Sequence, residues 1–200
     1  FSFIGGGCLN KALSNTNAVA IVAGRNNCIG GDAENSFIGA GSCNEIHDAD
    51  SVVLVGGKSN RVESGDSFLG GGRNNLVGAG NHSALVGGER NQASGECSFV
   101  GAGTLNTASG DCSAIVGGIN NTASGNFAFV GGGCRNKVNA PGGAILGGDH
   151  NRVTGDCSVI AEGVGGLGEY KETLQADLNK VIAVLNGYLW EDFLAHYSVG

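Results

Sequence analysis

The sequence predicts an all-β fold, a parallel β-solenoid whose phrases of about 15 residues pair into repeats of about 30 residues. Three observations support this. The phrase at 112–126, C-S-A-I-V-G-G-I-N-N-T-A-S-G-N, recurs with small changes as far as residue 163. Each phrase holds a short β-branched or aromatic segment closed by glycine, which is typical of a short strand and its turn. The 3.6-residue periodicity of helices begins only after residue 163.

Composition limits the classes of protein and partner. Glycine accounts for 39 of 200 residues, but a single proline and the lack of a G-X-Y period exclude collagen. A hydrophobic content of 41% is too high for a disordered glycine-rich linker. The net charge is −7 and no Lys/Arg run occurs, so we expect no nucleic-acid partner. No apolar stretch reaches the length of a membrane span.

Cysteine usage favours an extracellular or cell-surface location. The chain has seven cysteines, none in a C-x-x-C motif. It has no methionine, so we expect that it begins after processing or is a fragment, and a removed secretory signal would explain Phe1 as the first residue. Two N-glycosylation sequons begin at Asn81 and Asn120. Since seven is odd, at least one thiol is free or pairs between chains. The candidates for disulfides are Cys8, Cys28, Cys43, Cys97, Cys112, Cys134 and Cys157.

Along the chain, the second aliphatic residue of a phrase is preceded by phenylalanine in one phrase and by another aliphatic residue in the next. This leaves two frames open: a coil of one phrase, or a coil of two phrases. We favour the two-phrase coil because it stacks phenylalanine on phenylalanine. The resulting ladder comprises Phe3, Phe37, Phe68, Phe99 and Phe129, and the adjacent aliphatic positions include Val100, Val116 and Val130.

Adjacent residues of a strand point to opposite faces. If Phe99 faces inward, Val100 faces outward, and both faces of the strand are apolar. Because parallel strands that are apolar on both sides are usually covered on both sides, one stripe requires a partner. The ends of a solenoid also present backbone groups that could pair with another chain. The expected partner is a second copy of the chain, in a homo-oligomer or polymer.

An asparagine follows the glycines of every phrase. Stacked asparagine side chains can form a hydrogen-bonded ladder along the axis, although asparagine also tolerates left-handed turn geometry. The predicted Asn ladder comprises Asn10, Asn26, Asn44, Asn60, Asn74, Asn91, Asn106, Asn121, Asn136 and Asn151.

No catalytic, cofactor or metal site is predicted. The glycine runs lack the spacing of a phosphate-binding loop, and no nucleophile, base and orienting group occur together. The polar group His47, Asp48 and Asp50 is interpreted as a solvated loop. We therefore expect that the protein is not an enzyme.

The chain changes character after residue 163. Residues 164–168 form a glycine-rich hinge, and 169–200 carry the apolar periodicity of an amphipathic helix. This divides the chain into a β-solenoid domain at 1–163, the hinge, and a C-terminal helical cap or docking arm.

The repeated S-x-[IV]-G-x-G phrase resembles the left-handed β-roll repeats of trimeric autotransporter adhesin heads over residues 1–163. By composition alone, the chain is also similar to the sheath-type structural proteins of filamentous methanogens. These resemblances imply a non-enzymatic extracellular structural protein that assembles into a surface layer, sheath or fibre. The alternative is an adhesin head or phage tail-fibre module that binds a host or surface ligand.

Overall fold

The computed structural model describes residues 1–13, 16–161 and 163. Within them the chain forms a parallel β-solenoid, which confirms the predicted fold class. The hinge and the C-terminal helical cap lie outside the described residues. Each turn of the solenoid contributes one strand to each of two sheets, and each strand pairs in parallel with its equivalents in the neighbouring turns.

Sheet 1 contains eleven strands. They are β1 (Ser2–Ile4), β3 (Val19–Ile21), β5 (Phe37–Ile38), β7 (Val53–Leu54), β9 (Phe68–Leu69), β11 (Ala84–Leu85), β13 (Phe99–Val100), β15 (Ala114–Ile115), β17 (Phe129–Val130), β19 (Ala144–Ile145) and β21 (Val159–Ile160).

Sheet 2 contains ten strands. They are β2 (Lys11–Ala12), β4 (Cys28–Gly30), β6 (Glu45–His47), β8 (Arg61–Val62), β10 (Leu76–Val77), β12 (Gln92–Ala93), β14 (Thr107–Ala108), β16 (Thr122–Ala123), β18 (Lys137–Val138) and β20 (Arg152–Val153).

One coil is a single phrase, so the preference for a two-phrase coil was wrong. Val100 of β13 pairs with Ile115 of β15, which in turn pairs with Val130 of β17. The repeat pattern in the sequence placed Val100 and Val116 at equivalent positions. The pairing of the strands differs from this by one residue, because Val100 stacks on Ile115 and not on Val116. The 30-residue period survives as an alternation in side-chain size, because Phe99 is paired with Ala114 and Ala114 with Phe129.

The core consists of aliphatic side chains from the second residue of most strands. Val100, Ile115 and Val130 from sheet 1 face Ala108 and Ala123 from sheet 2, and all are fully buried. Large residues on one sheet and smaller ones on the other fill the narrow space between the sheets. Burial of this continuous column of side chains stabilises a fold whose individual coils cannot bury a hydrophobic face alone.

Candidate functional site

The outward side of sheet 1 is apolar and patterned. At the first outward position, phenylalanine alternates with alanine or valine from turn to turn. The solvent-exposed fraction is 36% for Phe99 and 39% for Phe68. These rings therefore stay partly exposed, on the side of sheet 1 away from the core.

A second outward position, two residues further on, carries the opposite pattern. Turns with phenylalanine have glycine there, and the other turns have valine or leucine, as at Val116. The Phe68 ring leans along its strand over Gly70, where an added Cβ would lie 3.3 Å from the ring. The face is therefore a checkerboard of large and small side chains.

We call this surface the outer face. Its large residues are Phe3, Val22, Phe37, Val53, Val55, Phe68, Val86, Phe99, Val116, Phe129, Leu146 and Val159.

The structure divides the aliphatic and aromatic residues singled out in the sequence. All five phenylalanines and Val116 lie on the outer face, whereas Val100 and Val130 belong to the core. The assumption that Phe99 points inward and Val100 outward is wrong. Successive residues of a strand point to opposite faces. The interior contains the aliphatic residue that is present in every turn, and the phenylalanine that is present in every second turn lies outside.

The asparagines form a buried ladder. The side-chain oxygen of Asn91 accepts a 2.9 Å hydrogen bond from the backbone N–H of Asn106. The Asn106 Nδ2 donates to the carbonyl of Ala102 in its own turn at 3.1 Å and to that of Gly118 in the next turn at 2.9 Å. The same bonds link Asn121, Asn136 and Asn151. Every side chain of this set is thus engaged with backbone, and the ladder stabilises the turns.

Two members of the predicted ladder were displaced by one residue. Asn26 and Asn74 adopt left-handed backbone conformations, with φ of 54° and 55°, and point to the surface. In their turns the ladder positions are held by Asn27 and Asn75, which are buried. Where two asparagines adjoin, the sequence does not distinguish the left-handed residue from the buried one.

Acidic side chains stabilise the early turns. The carboxylate of Asp48 accepts a 3.1 Å hydrogen bond from the N–H of Asp32, and that of Asp50 accepts one of 2.7 Å from the N–H of Glu34. His47 Nδ1 lies 2.8 Å from Asp48. The group read as a solvated loop therefore caps the backbone of the preceding turn.

All seven cysteines lie among the described residues, and each is a free thiol. Cys97, Cys112 and Cys157 occupy equivalent turn positions. Cys97 and Cys112 are on successive turns.

A compact group of potential metal ligands adjoins these thiols. The ligand atoms of His82, Glu96 and Cys97 all lie within 4.8 Å of one another at the exposed edge of the solenoid. Sequence reasoning missed this group because the two-phrase coil separates His82 from Cys97. A one-phrase register would have revealed it.

No family model matches the chain, and no curated protein matches it. Within residues 1–13, 16–161 and 163, no helix has the length and apolar character required to cross a bilayer.

Proposed function

We propose that this chain is a non-enzymatic extracellular structural protein that packs side by side with copies of itself into a cell-surface layer, sheath or fibre. One observation carries the proposal: the outer face of sheet 1 is apolar from β1 to β21, and most of its large side chains are exposed. Eleven strands at a spacing of about 4.8 Å extend this face to about 50 Å. Contiguous apolar surfaces of such extent mark interaction sites.

The checkerboard favours a second copy as the occupant. Phenylalanines recur at every second turn, about 10 Å apart, with the small side chains of Ala84 and Ala114 between them. A second outer face has the same period, so the rings of one copy can fit over the alanines of the other along the whole length. A partner without that period would match only a few rings. Self-complementary patches are also the rule for symmetric oligomers.

The extracellular assignment is supported by the thiols and the sequons. Seven cysteines are numerous for a chain from a reducing compartment. Asn81 and Asn120 are exposed, as glycosylation requires. Exposed thiols such as Cys8 and Cys43 are accessible for crosslinks between subunits.

The test places two charges on the outer face. Val86 and Val116 are each about half exposed, at 50% and 51%, so Val86→Asp with Val116→Asp leaves the core intact. The matched control is Thr107→Asp with Thr122→Asp, which charges the outward positions of β14 and β16 in sheet 2. We expect the wild type and the control to sediment as large assemblies, and the outer-face variant to sediment as a folded monomer. A wild-type monomer at high concentration contradicts the proposal.

A specific observation favours a second candidate, a binding module of the adhesin-head or phage tail-fibre kind. The outward positions of sheet 2 are mainly polar, as at Lys11, Glu45, Gln92, Thr107 and Lys137. This face stays free when outer faces associate, and it offers hydrogen-bonding groups to a host or surface ligand. A closed oligomer of fixed size by sedimentation supports the binding module, whereas open-ended polymers support the structural role.

A further inference from the structure

The edge of the solenoid carries a column of side chains at one turn position. The backbone N–H of Cys97 donates to Asn81 O at 2.9 Å, and that of Cys112 donates to Glu96 O at 2.7 Å. His82, Cys97 and Cys112 all have left-handed φ values, of 61°, 53° and 53°. The three residues are therefore structurally equivalent in successive turns, and their side chains leave the backbone in the same direction.

The fold does not require ligating side chains at this position. The equivalent residue is Phe127 in the next turn after Cys112, Gly142 in the turn after that, and Asp66 in the turn before His82. This turn position therefore accepts phenylalanine, glycine and aspartate. The solenoid fold therefore does not require a histidine followed by two cysteines at this position.

The surroundings are acidic. Glu96 contributes its carboxylate to the group, and Asp66 Oδ2 lies 3.7 Å from His82 Nε2. In the next turn, the Asp111 carboxylate accepts a 3.1 Å hydrogen bond from the N–H of Glu96. Several carboxylates at one edge of the solenoid favour the binding of a cation there.

We propose that His82, Glu96 and Cys97 bind a zinc ion, with Cys112, the neighbour of Cys97, as the fourth ligand. Imidazole, thiolate and carboxylate are the ligands that Zn²⁺ takes in proteins, in a tetrahedral arrangement. Zn²⁺ displaces the protons of the thiols when it binds. The Asp66 carboxylate, 3.7 Å from His82 Nε2, adds negative charge beside the site. The site stands independently of self-assembly.

The site lies at the edge of the coil, and its ligands come from three successive turns. A bound ion therefore clamps these turns together without any contribution from the core. We expect one Zn²⁺ per chain and a higher unfolding temperature in its presence, because a ligand that binds only the folded state stabilises it.

The experiment titrates the fully reduced full-length chain with Co²⁺, read by its visible absorption, and then with Zn²⁺ in competition. Cys97→Ser and His82→Ala test the ligands. Cys157→Ser is the matched control, because Cys157 occupies the same turn position, in the turn after Gly142, and does not belong to the group of potential ligands. Circular dichroism checks that each variant is folded.

We expect one ion per wild-type chain, a loss of at least about tenfold in affinity for Cys97→Ser and His82→Ala, and no change for Cys157→Ser. Cys112→Ser should remove about half of the sulfur-to-cobalt absorption, since one of two thiolates is lost. An unchanged affinity in folded Cys97→Ser, or equal losses in Cys157→Ser, would overturn the site. Unchanged absorption in Cys112→Ser would exclude Cys112 as the fourth ligand.

Discussion

Asn91 and Asn106 are joined across two turns by a 2.9 Å hydrogen bond from the backbone N–H of Asn106 to the side-chain oxygen of Asn91. The bond repeats at every step from Asn10 to Asn151. The Asn106 side chain bonds backbone groups of its own turn and of the next turn, and the Asn106 N–H is bonded by the asparagine side chain of the preceding turn. The ladder links consecutive coils independently of their hydrophobic side chains.

Replacement of Asn106 by alanine should destabilise the solenoid by at least about 2 kcal/mol, because it removes the side-chain partner of the Asn121 N–H and of the Ala102 and Gly118 carbonyls. The measurement is urea unfolding followed by circular dichroism, in the Val86→Asp, Val116→Asp background if the wild type assembles. Asn120→Leu is the control, since Leu105 occupies the equivalent exposed position one turn earlier. A loss below about 0.5 kcal/mol for Asn106→Ala would show that the ladder contributes little.

The inward and outward residues of sheet 1 should respond differently to truncation. Ile115 is fully buried, so Ile115→Ala should cost about 2–5 kcal/mol. Phe99 lies on the outer face, so Phe99→Ala should cost about 1 kcal/mol in the free monomer. The two free energies of unfolding are measured under the same conditions. If Phe99→Ala proves the more costly change, the assignment of the two faces is wrong.

Glycine is required at one turn position and optional at its neighbour. Gly103 has a φ of 99°, and an added Cβ would overlap the carbonyl oxygen of Gly118. Gly103→Ala should therefore destabilise the fold by more than about 2 kcal/mol. Gly132→Ala is the control: its Cβ meets nothing within 4 Å, and the equivalent residue two turns earlier is Ala102. Thermal unfolding separates the two variants, and equal losses would refute the stated close approach.

A line of buried serines ends without a partner. The Ser83 hydroxyl bonds to the carbonyl of Gly95 at 2.9 Å and to the hydroxyl of Ser98 at 3.1 Å. The buried Ser113 hydroxyl has no hydrogen-bond partner among the described residues. Ser113→Ala should be neutral or stabilising, whereas Ser83→Ala should cost about 1–2 kcal/mol. Unfolding free energies test the difference, and a comparable loss at Ser113 would indicate a bound water at its hydroxyl.

The sequence by itself determined the fold class. A repeated phrase with a short apolar strand, a glycine turn and an asparagine can bury its apolar face only by stacking on its neighbours. The asparagines Asn91, Asn106, Asn121, Asn136 and Asn151 were all placed at one register position, because each follows the glycines at the same distance in the later turns. The long apolar stripe was also visible as adjacent hydrophobic residues.

Only the tertiary structure decided which member of each hydrophobic pair is buried. The side-chain period of a strand is two, so a shift of one residue exchanges its two faces. The repeat pattern in the sequence suggested that Val100 and Val116 are equivalent, which is an error of one residue. The backbone pairs Val100 with Ile115. The local pattern does not reveal it, because Ile115 and Val116 are both aliphatic and it is Val116 that, like Val100, directly precedes glycine.

The same register decided which polar residues meet. His82 and Cys97 are separated by 14 intervening residues, a distance that has no meaning until the length of one coil is known. Pairing of single phrases brings them to successive turns beside Glu96 and Cys112, where their ligand atoms share one edge of the solenoid. The periodicity of the sequence is compatible with a coil of one phrase or of two. Backbone hydrogen bonding between adjacent coils allows only one register. This register brings the candidate metal ligands together.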